Sequence, residues 1–139
     1  MPKKKQDTST LGKPLLYTAR AAAGFPLPAD DLVEQALDLN TLLIENEIAT
    51  FFVRAEGDSM QGAGIMSGDI LVVDRSKTIT DGSVVVAALY GELVVKRIRK
   101  KSGKTWLVSE NKDYEPVLVS GSDECHVWGV VTASITQFQ

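Results

Sequence analysis

From residue 50 onward the chain is a succession of short runs rich in valine and isoleucine, separated by residues that favour turns. In the first run Phe51, Val53 and Ala55 occupy alternate positions, which is the period of a β-strand. Pairs such as Asp81-Gly82 and Tyr90-Gly91 favour tight turns between neighbouring antiparallel strands. We therefore predict a mainly β fold, a curled antiparallel sheet or barrel-like domain with one short helix and an extended N-terminal arm. The predicted strands are Phe51–Glu56, Asp69–Asp74, Ser83–Leu89, Glu92–Arg99, Thr105–Ser109, Pro116–Val119 and His126–Thr136.

The first part of the chain has a different character. Residues 1–29 are rich in lysine, threonine and alanine, contain several prolines and show no sustained period, which predicts a flexible arm. A helix is predicted over Asp38–Glu45, with Asp38 as its N-cap, because leucines recur there at helical spacing. The stretch 31–37 has a shorter pattern that is also compatible with a helix. We accordingly divide the chain into the arm, 1–29, and a single domain, 30–139.

Composition narrows the function classes. A length of 139 residues fits one domain, and a net charge of −3 gives no general attraction to nucleic acid or to an anionic membrane. This disfavours sequence-specific DNA binding, although a local basic patch remains compatible with it. The single cysteine, Cys125, favours a reducing compartment. No apolar stretch is long enough to span a bilayer, and polar residues occupy the place where a signal peptide would need its apolar core. We therefore expect a cytoplasmic protein without a membrane partner.

The first candidate for chemistry is Ser59, in the sequence Gly-Asp-Ser-Met that directly follows a predicted strand. A serine in a glycine-containing turn presents its hydroxyl and the neighbouring backbone N–H groups to one space, as a nucleophile with an oxyanion site requires. Glycine, aspartate and serine are equally common as ordinary turn residues. Both interpretations stay open from this motif alone.

The second candidate is Lys96, which lies in the predicted strand Glu92–Arg99 on the same face as Val94 and Ile98. A lysine between two branched apolar residues either extends to water at a sheet edge or is buried. Burial disfavours the ammonium form and lowers the pKa of a lysine, so a buried amine can accept a proton from a serine hydroxyl. The sequence does not decide between these alternatives.

The third candidate is the small-residue stretch Arg20-Ala21-Ala22-Ala23-Gly24-Phe25-Pro26 in the arm. Small side chains let a backbone lie inside a narrow cleft, and the proline favours an extended conformation at the residue before it. Such a segment suits a peptidase substrate that docks as an added strand. A flexible linker has the same composition.

Other chemistries have little support in the sequence. His126 is the only histidine, and strand alternation would direct its side chain away from that of Cys125. One cysteine and one histidine are too few for a typical zinc site, and no glycine-rich phosphate loop is present. We expect no metal and no cofactor.

The order of these three features resembles the UmuD/LexA family of self-cleaving serine peptidases. Ala-Gly in an N-terminal arm is followed by Gly-Asp-Ser-Met after a strand and by Val-Val-Lys-Arg in a later strand. The resemblance covers roughly residues 20–135. It extends through the stretches Ile65–Val73, Asp81–Ala87 and Glu110–Pro116.

Within the family the chain resembles the UmuD branch more than the LexA-type repressors. Those repressors carry a helix-turn-helix domain before the cleavage site, and only 23 residues precede Gly24 here. The stretch Asp38–Ile44 also resembles the UmuD branch. Ala23 departs from the cysteine that UmuD proteins can have before the cut, but Ala-Gly is the pair that the repressors cleave.

The resemblance implies Ser59 as the nucleophile, Lys96 as the general base, and cleavage between Ala23 and Gly24. Backbone N–H groups of Asp58 and Ser59 would form the oxyanion hole. It also implies a homodimer whose self-cleavage is stimulated by a RecA filament on single-stranded DNA. The shortened form would join an UmuC-type subunit as an error-prone translesion DNA polymerase. The rival interpretations are an interaction module with an unused Ser/Lys pair, a membrane-bound signal peptidase, and a DNA-binding repressor.

Overall fold

The computed structural model describes residues 12–17 and 33–139. The chain divides into two compact units, residues 1–42 and 43–139. The predicted boundary between residues 29 and 30 lies outside the described residues, as do most of the predicted arm and the segment around Ala23 and Gly24.

The first unit contains a two-stranded antiparallel sheet, β1 (Leu15–Tyr17) and β2 (Val33–Ala36). Helix α1 (Leu39–Leu43) follows β2 and ends at the first residue of the second unit. The Asp38 carboxylate accepts a hydrogen bond from the backbone N–H of Asn40 at 3.0 Å, which confirms Asp38 as the N-cap. The helical interpretation of 31–37 was wrong for the greater part of this stretch, since residues 33–36 form β2, which pairs with β1. Among the described residues, no helix has the length and apolar character needed to cross a bilayer.

The second unit is built on one seven-stranded sheet, in which every pairing is antiparallel. This confirms the mainly β fold class. Both ends of each predicted strand lie within two residues of the ends of the observed strand. The strands are β3 (Thr50–Arg54), β4 (Ile70–Asp74), β5 (Val84–Leu89), β6 (Glu92–Lys101), β7 (Lys104–Val108), β8 (Val117–Leu118) and β9 (Cys125–Ile135). Their order in the sheet is β3-β4-β9-β5-β6-β7-β8. The sheet is open rather than closed into a barrel, with β3 at one edge and β8 at the other.

Two hydrophobic clusters form the core of this unit, because alternate residues of β5 point to opposite faces of the sheet. Val86 packs with Leu71, Val73 and the loop residues Met60 and Ile65 in one cluster. The other cluster contains Val85, Ala87, Leu89, Ile98 and Leu107. Because Met60 and Ile65 belong to the first cluster, this cluster packs the loop that follows β3 against the sheet. The pairings of β9 with β4 and with β5 each contain a register shift, and such irregularities increase the local twist of a sheet.

The hairpin between β6 and β7 has a two-residue turn, Ser102 and Gly103, whose φ angles are 53° and 75°. Positive φ at both positions matches the twist of the flanking strands, so the turn fixes the register. Arg97 accordingly lies opposite Val108 at the far end of the ladder. Continuing the same register by one residue places Lys96 opposite Ser109.

Candidate active site

The turn that carries Ser59 begins where β3 ends at Arg54. Gly57 has a φ of 83°, a left-handed conformation that other residues adopt only with strain, and its N–H donates to Ser67 Oγ at 3.2 Å. Met60 is only 3% exposed and fixes the turn to the first core cluster. Ser59, between this glycine and the buried methionine, is partly buried. The turn is therefore held at both ends.

Ser59 and Lys96 line the same cleft, which has a volume of about 360 Å³. More than half of the residues that line the cleft are apolar, and apolar surroundings strengthen electrostatic interactions. The cleft is lined by Val53, Arg54, Ala55, Glu56, Gly57, Ser59, Met60, Ile65, Leu93, Val94, Val95, Lys96 and Tyr114.

Lys96 lies in β6, an interior strand of the sheet, opposite Val85. The side chain is partly buried, and its Nζ donates a hydrogen bond to Ser109 Oγ at 2.6 Å. Burial lowers the pKa of the Lys96 amine from the ordinary lysine value. The structure thus favours the partly buried alternative over a lysine that extends to water at a sheet edge.

Tyr114 connects the two sides of the cleft. Its ring lies under the Lys96 ammonium, with Nζ 4.8 Å from the ring centroid, at a distance suited to a cation–π contact. Its hydroxyl donates to Asp58 Oδ1 at 2.6 Å, and this hydrogen bond raises the pKa of Tyr114. Asn111 forms a second hydrogen bond to the same residue, since its Nδ2 donates to the backbone oxygen of Asp58 at 3.0 Å. The turn that carries Ser59 and the Lys96 side chain are therefore held by one short segment.

We call this segment, Ser109–Tyr114, the bracket loop. Besides the contacts above, the backbone oxygen of Glu110 accepts a hydrogen bond from the N–H of Gly62 at 2.7 Å, and the Glu110 carboxylate pairs with Arg97. The bracket loop therefore contacts the turn that carries Ser59 and the strand that carries Lys96. Sequence reasoning identified none of these roles. The hairpin register was the one available signal, because counting back from Ser102-Gly103 pairs Lys96 with Ser109.

The contact at Gly62 yields a stability prediction. A Cβ built on Gly62 would lie 2.5 Å from the backbone oxygen of Glu110, a clash that only a shift of the bracket loop relieves. We expect Gly62→Ala to lower the free energy of unfolding by about 1–3 kcal/mol, as overpacking does. Urea denaturation measures the change. Gln61→Ala, at an exposed neighbouring position, is the control and should change stability by less than about 0.5 kcal/mol. Equal stability of both variants would contradict the close packing of the loop.

Two backbone N–H groups near Ser59 are available for a further acceptor. Within residues 12–17 and 33–139, the N–H groups of Asp58 and Ser59 donate to no acceptor, and the Ser59 hydroxyl makes no hydrogen bond. The Asp58 backbone oxygen, by contrast, accepts from Gln61 N at 3.1 Å and from Asn111. Unused donors beside a partly buried hydroxyl match the arrangement that an oxyanion requires.

The structure places the predicted residues Ser59 and Lys96 in one cleft, with Asp58 directly before Ser59 and bonded to Tyr114. The predicted cleavage pair Ala23–Gly24 lies outside the described residues. His126 is exposed on β9, with Cys125 partly buried beside it on the other side of the strand. In the part of the chain that the structure describes, no cluster of histidine, cysteine or acidic side chains has the arrangement of a metal site.

An antiparallel β-sheet with a serine and a lysine in one cleft is the combination that a serine peptidase with a lysine base would need. Residues 14–132 match the Peptidase S24-like family, and the chain belongs to that family. Within it the chain is a UmuD-type protein, similar to SamA of Salmonella typhimurium and MucA of Escherichia coli. Identity to SamA is 46% over 120 residues, which cover 86% of this chain and 83% of SamA.

Identity to MucA is 39% over 122 residues, which cover 87% of this chain and 83% of MucA. The LexA repressor of Shewanella oneidensis is 37% identical over 119 residues. These residues cover 86% of this chain but only 56% of the repressor. The comparisons confirm the resemblance to the UmuD branch of the family.

Proposed function

We propose that this chain is a self-cleaving serine peptidase in which Ser59 is the nucleophile, Lys96 is the general base, and Ala23–Gly24 is the bond cut. The observation that carries the proposal is that Ser59 shares one cleft with a partly buried lysine amine whose pKa is lowered by burial. A neutral amine can take the proton of a serine hydroxyl, whereas an ammonium cannot.

In the first step the arm enters the cleft as an extended strand, with the Ala23 carbonyl at Ser59. The Lys96 amine takes the hydroxyl proton while Ser59 Oγ forms a bond to the Ala23 carbonyl carbon. The carbonyl oxygen becomes an oxyanion, which the N–H groups of Asp58 and Ser59 stabilise. The docked arm also excludes water, which further favours the neutral amine.

In the second step the tetrahedral intermediate collapses. The bond between the Ala23 carbonyl carbon and the Gly24 nitrogen breaks, and the Lys96 ammonium returns its proton to that nitrogen. Ala23 is then an ester of Ser59. A water molecule hydrolyses the ester by the same route, with Lys96 again taking and returning the proton. The net reaction consumes one water and releases residues 1–23 from residues 24–139.

The family likeness supports a cytoplasmic role in the SOS response to DNA damage. In this proposal the chain is a homodimer, and a RecA filament on single-stranded DNA stimulates cleavage by favouring the docked arm. RecA supplies no catalytic group, so it acts only through its differential affinity for the docked state. The shortened form then joins an UmuC-type subunit in translesion synthesis.

Intact-mass spectrometry tests the proposal. Incubation of the full chain with a preformed RecA filament is expected to give two products, residues 1–23 and residues 24–139. Ser59→Ala should give neither product under the same conditions. A wild-type chain that stays intact both with the filament and at alkaline pH would instead identify an interaction module in which the Ser/Lys pair is unused.

A further inference from the structure

We propose that Ser109 is a positioning residue whose hydroxyl holds the Lys96 amine in the orientation that proton transfer requires. This inference rests on the proposed function, because it assigns a role within the same site. It adds a third side chain to the Ser59 and Lys96 pair.

The position of Ser109 is fixed by the fold. The β6–β7 hairpin register places it directly opposite Lys96, one step beyond the last ladder pair, Arg97 and Val108. It is 8% exposed, and its Oγ is 2.6 Å from Lys96 Nζ. The backbone of the next residue, Glu110, is tied to Gly62. A hydroxyl this buried and this constrained is a fixed point against which a flexible lysine side chain can be oriented.

The hydrogen bond suits both protonation states of the amine. The ammonium has three N–H donors, and one of them bonds to Ser109 Oγ. After loss of a proton, two donors and one lone pair remain. If one donor stays on Ser109, rotation about the terminal carbon–nitrogen bond is restricted, which leaves the lone pair free to face the cleft that Ser59 lines. Orientation of this kind raises the rate without changing the chemistry.

Tyr114 cannot perform this task, although it touches the same amine. Its ring attracts the ammonium through the π-face, and that attraction fades when the charge is lost. The other charged or titratable groups at the cleft are Arg54 and Glu56, with Asp58 joined to Tyr114. Of the contacts described for the amine, only the one to Ser109 is a hydrogen bond.

The test follows self-cleavage of the full chain without RecA between about pH 7 and 11, on either side of the ordinary lysine pKa. For Ser109→Ala we expect the plateau rate at high pH to fall roughly tenfold to 100-fold, since misorientation of a catalytic group costs rates of this size. The pH midpoint of the cleavage rate should move to lower pH, because the ammonium form of Lys96 loses the hydroxyl that accepts its hydrogen bond. Ser109→Thr keeps the hydroxyl and should restore the plateau to within a few-fold. A purely structural role would lower stability without moving the midpoint.

The outcomes separate this proposal from the proposed function. If cleavage depends on Lys96 while Ser109→Ala keeps the wild-type plateau and midpoint, the role of Ser109 is wrong and the Ser59/Lys96 pair stands. If Lys96→Met cleaves normally, the proposed function fails. In that case a pH titration of the ¹³Cε chemical shift of Lys96 still tests the contact with Ser109. An unchanged midpoint of this titration in Ser109→Ala would overturn the contact. Should the alanine variant not fold, Ser109→Cys replaces it. We expect a reduced plateau rate for this variant, and a wild-type plateau rate would contradict the proposal.

Discussion

Replacement of Lys96 with methionine is expected to slow self-cleavage by a factor on the order of 10³, because the base that takes the Ser59 proton and the acid that returns it are the same group. Methionine fills a similar volume without a titratable nitrogen. The folded state should be kept or slightly stabilised, since a partly buried amine is costly to desolvate. The rate of loss of the intact chain at alkaline pH, followed by gel or mass, measures the effect.

Lys101→Met is the matched control, because Lys101 is an exposed lysine in the same strand. It should cleave at the wild-type rate. Ser59→Ala should be as inactive as Lys96→Met, and the double variant no worse than either, because residues that act as a unit are not additive. Normal processing by Lys96→Met, together with an inactive Ser59→Ala, would mean that another group serves as the base.

Self-cleavage without RecA is expected to accelerate by about tenfold per pH unit above pH 7, until the lowered pKa of Lys96 is reached. Only the neutral amine accepts a proton, and its fraction rises tenfold per unit below its pKa. Because burial depresses this pKa, the plateau should begin below the ordinary lysine value. Single-turnover rates across this range measure the profile.

The free energy of unfolding should also depend on the protonation of Lys96, and the lowered pKa fixes the direction of this dependence. Between the lowered pKa of folded Lys96 and the ordinary lysine value, the unfolded chain binds more protons, so this group makes the fold more stable as pH rises. Burial raises the pKa of Cys125, and the hydrogen bond to Asp58 raises that of Tyr114. Both groups are kept in Lys96→Met, so the part of the pH dependence of stability that this variant loses belongs to Lys96. A flat rate between about pH 7 and 10 would exclude a lysine base.

Much of the second unit could be predicted from sequence, because its signals are local. Alternating apolar residues and Gly-containing turns such as Tyr90-Gly91 are properties of neighbouring residues, and Tyr90 and Gly91 both have the positive φ that the turn requires. The N-cap at Asp38 is equally local. The β1–β2 pair was missed because three- and four-residue strands show too few alternations to reveal a period.

The candidate site was predictable only in part. Ser59 and Lys96 were found through a motif and an unexpected lysine, but whether Lys96 is buried depends on the loop that packs over it. Tyr114 lies 18 positions beyond Lys96 in the sequence, and its contacts with Lys96 and Asp58 arise from tertiary packing. Such contacts leave no periodic trace in one sequence. The position of Ser109 opposite Lys96 could be predicted from the two-residue turn, because the turn sets the hairpin register, but its hydrogen bond to Lys96 could not.

The bracket loop has a consequence for how such an enzyme is controlled. Because one six-residue segment contacts both the turn that carries Ser59 and the side chain of Lys96, it fixes the two sides of the cleft relative to each other. Under the proposed function, docking of the arm then has only to exclude water and to deliver the scissile bond. Control of the reaction would lie in how often the arm docks.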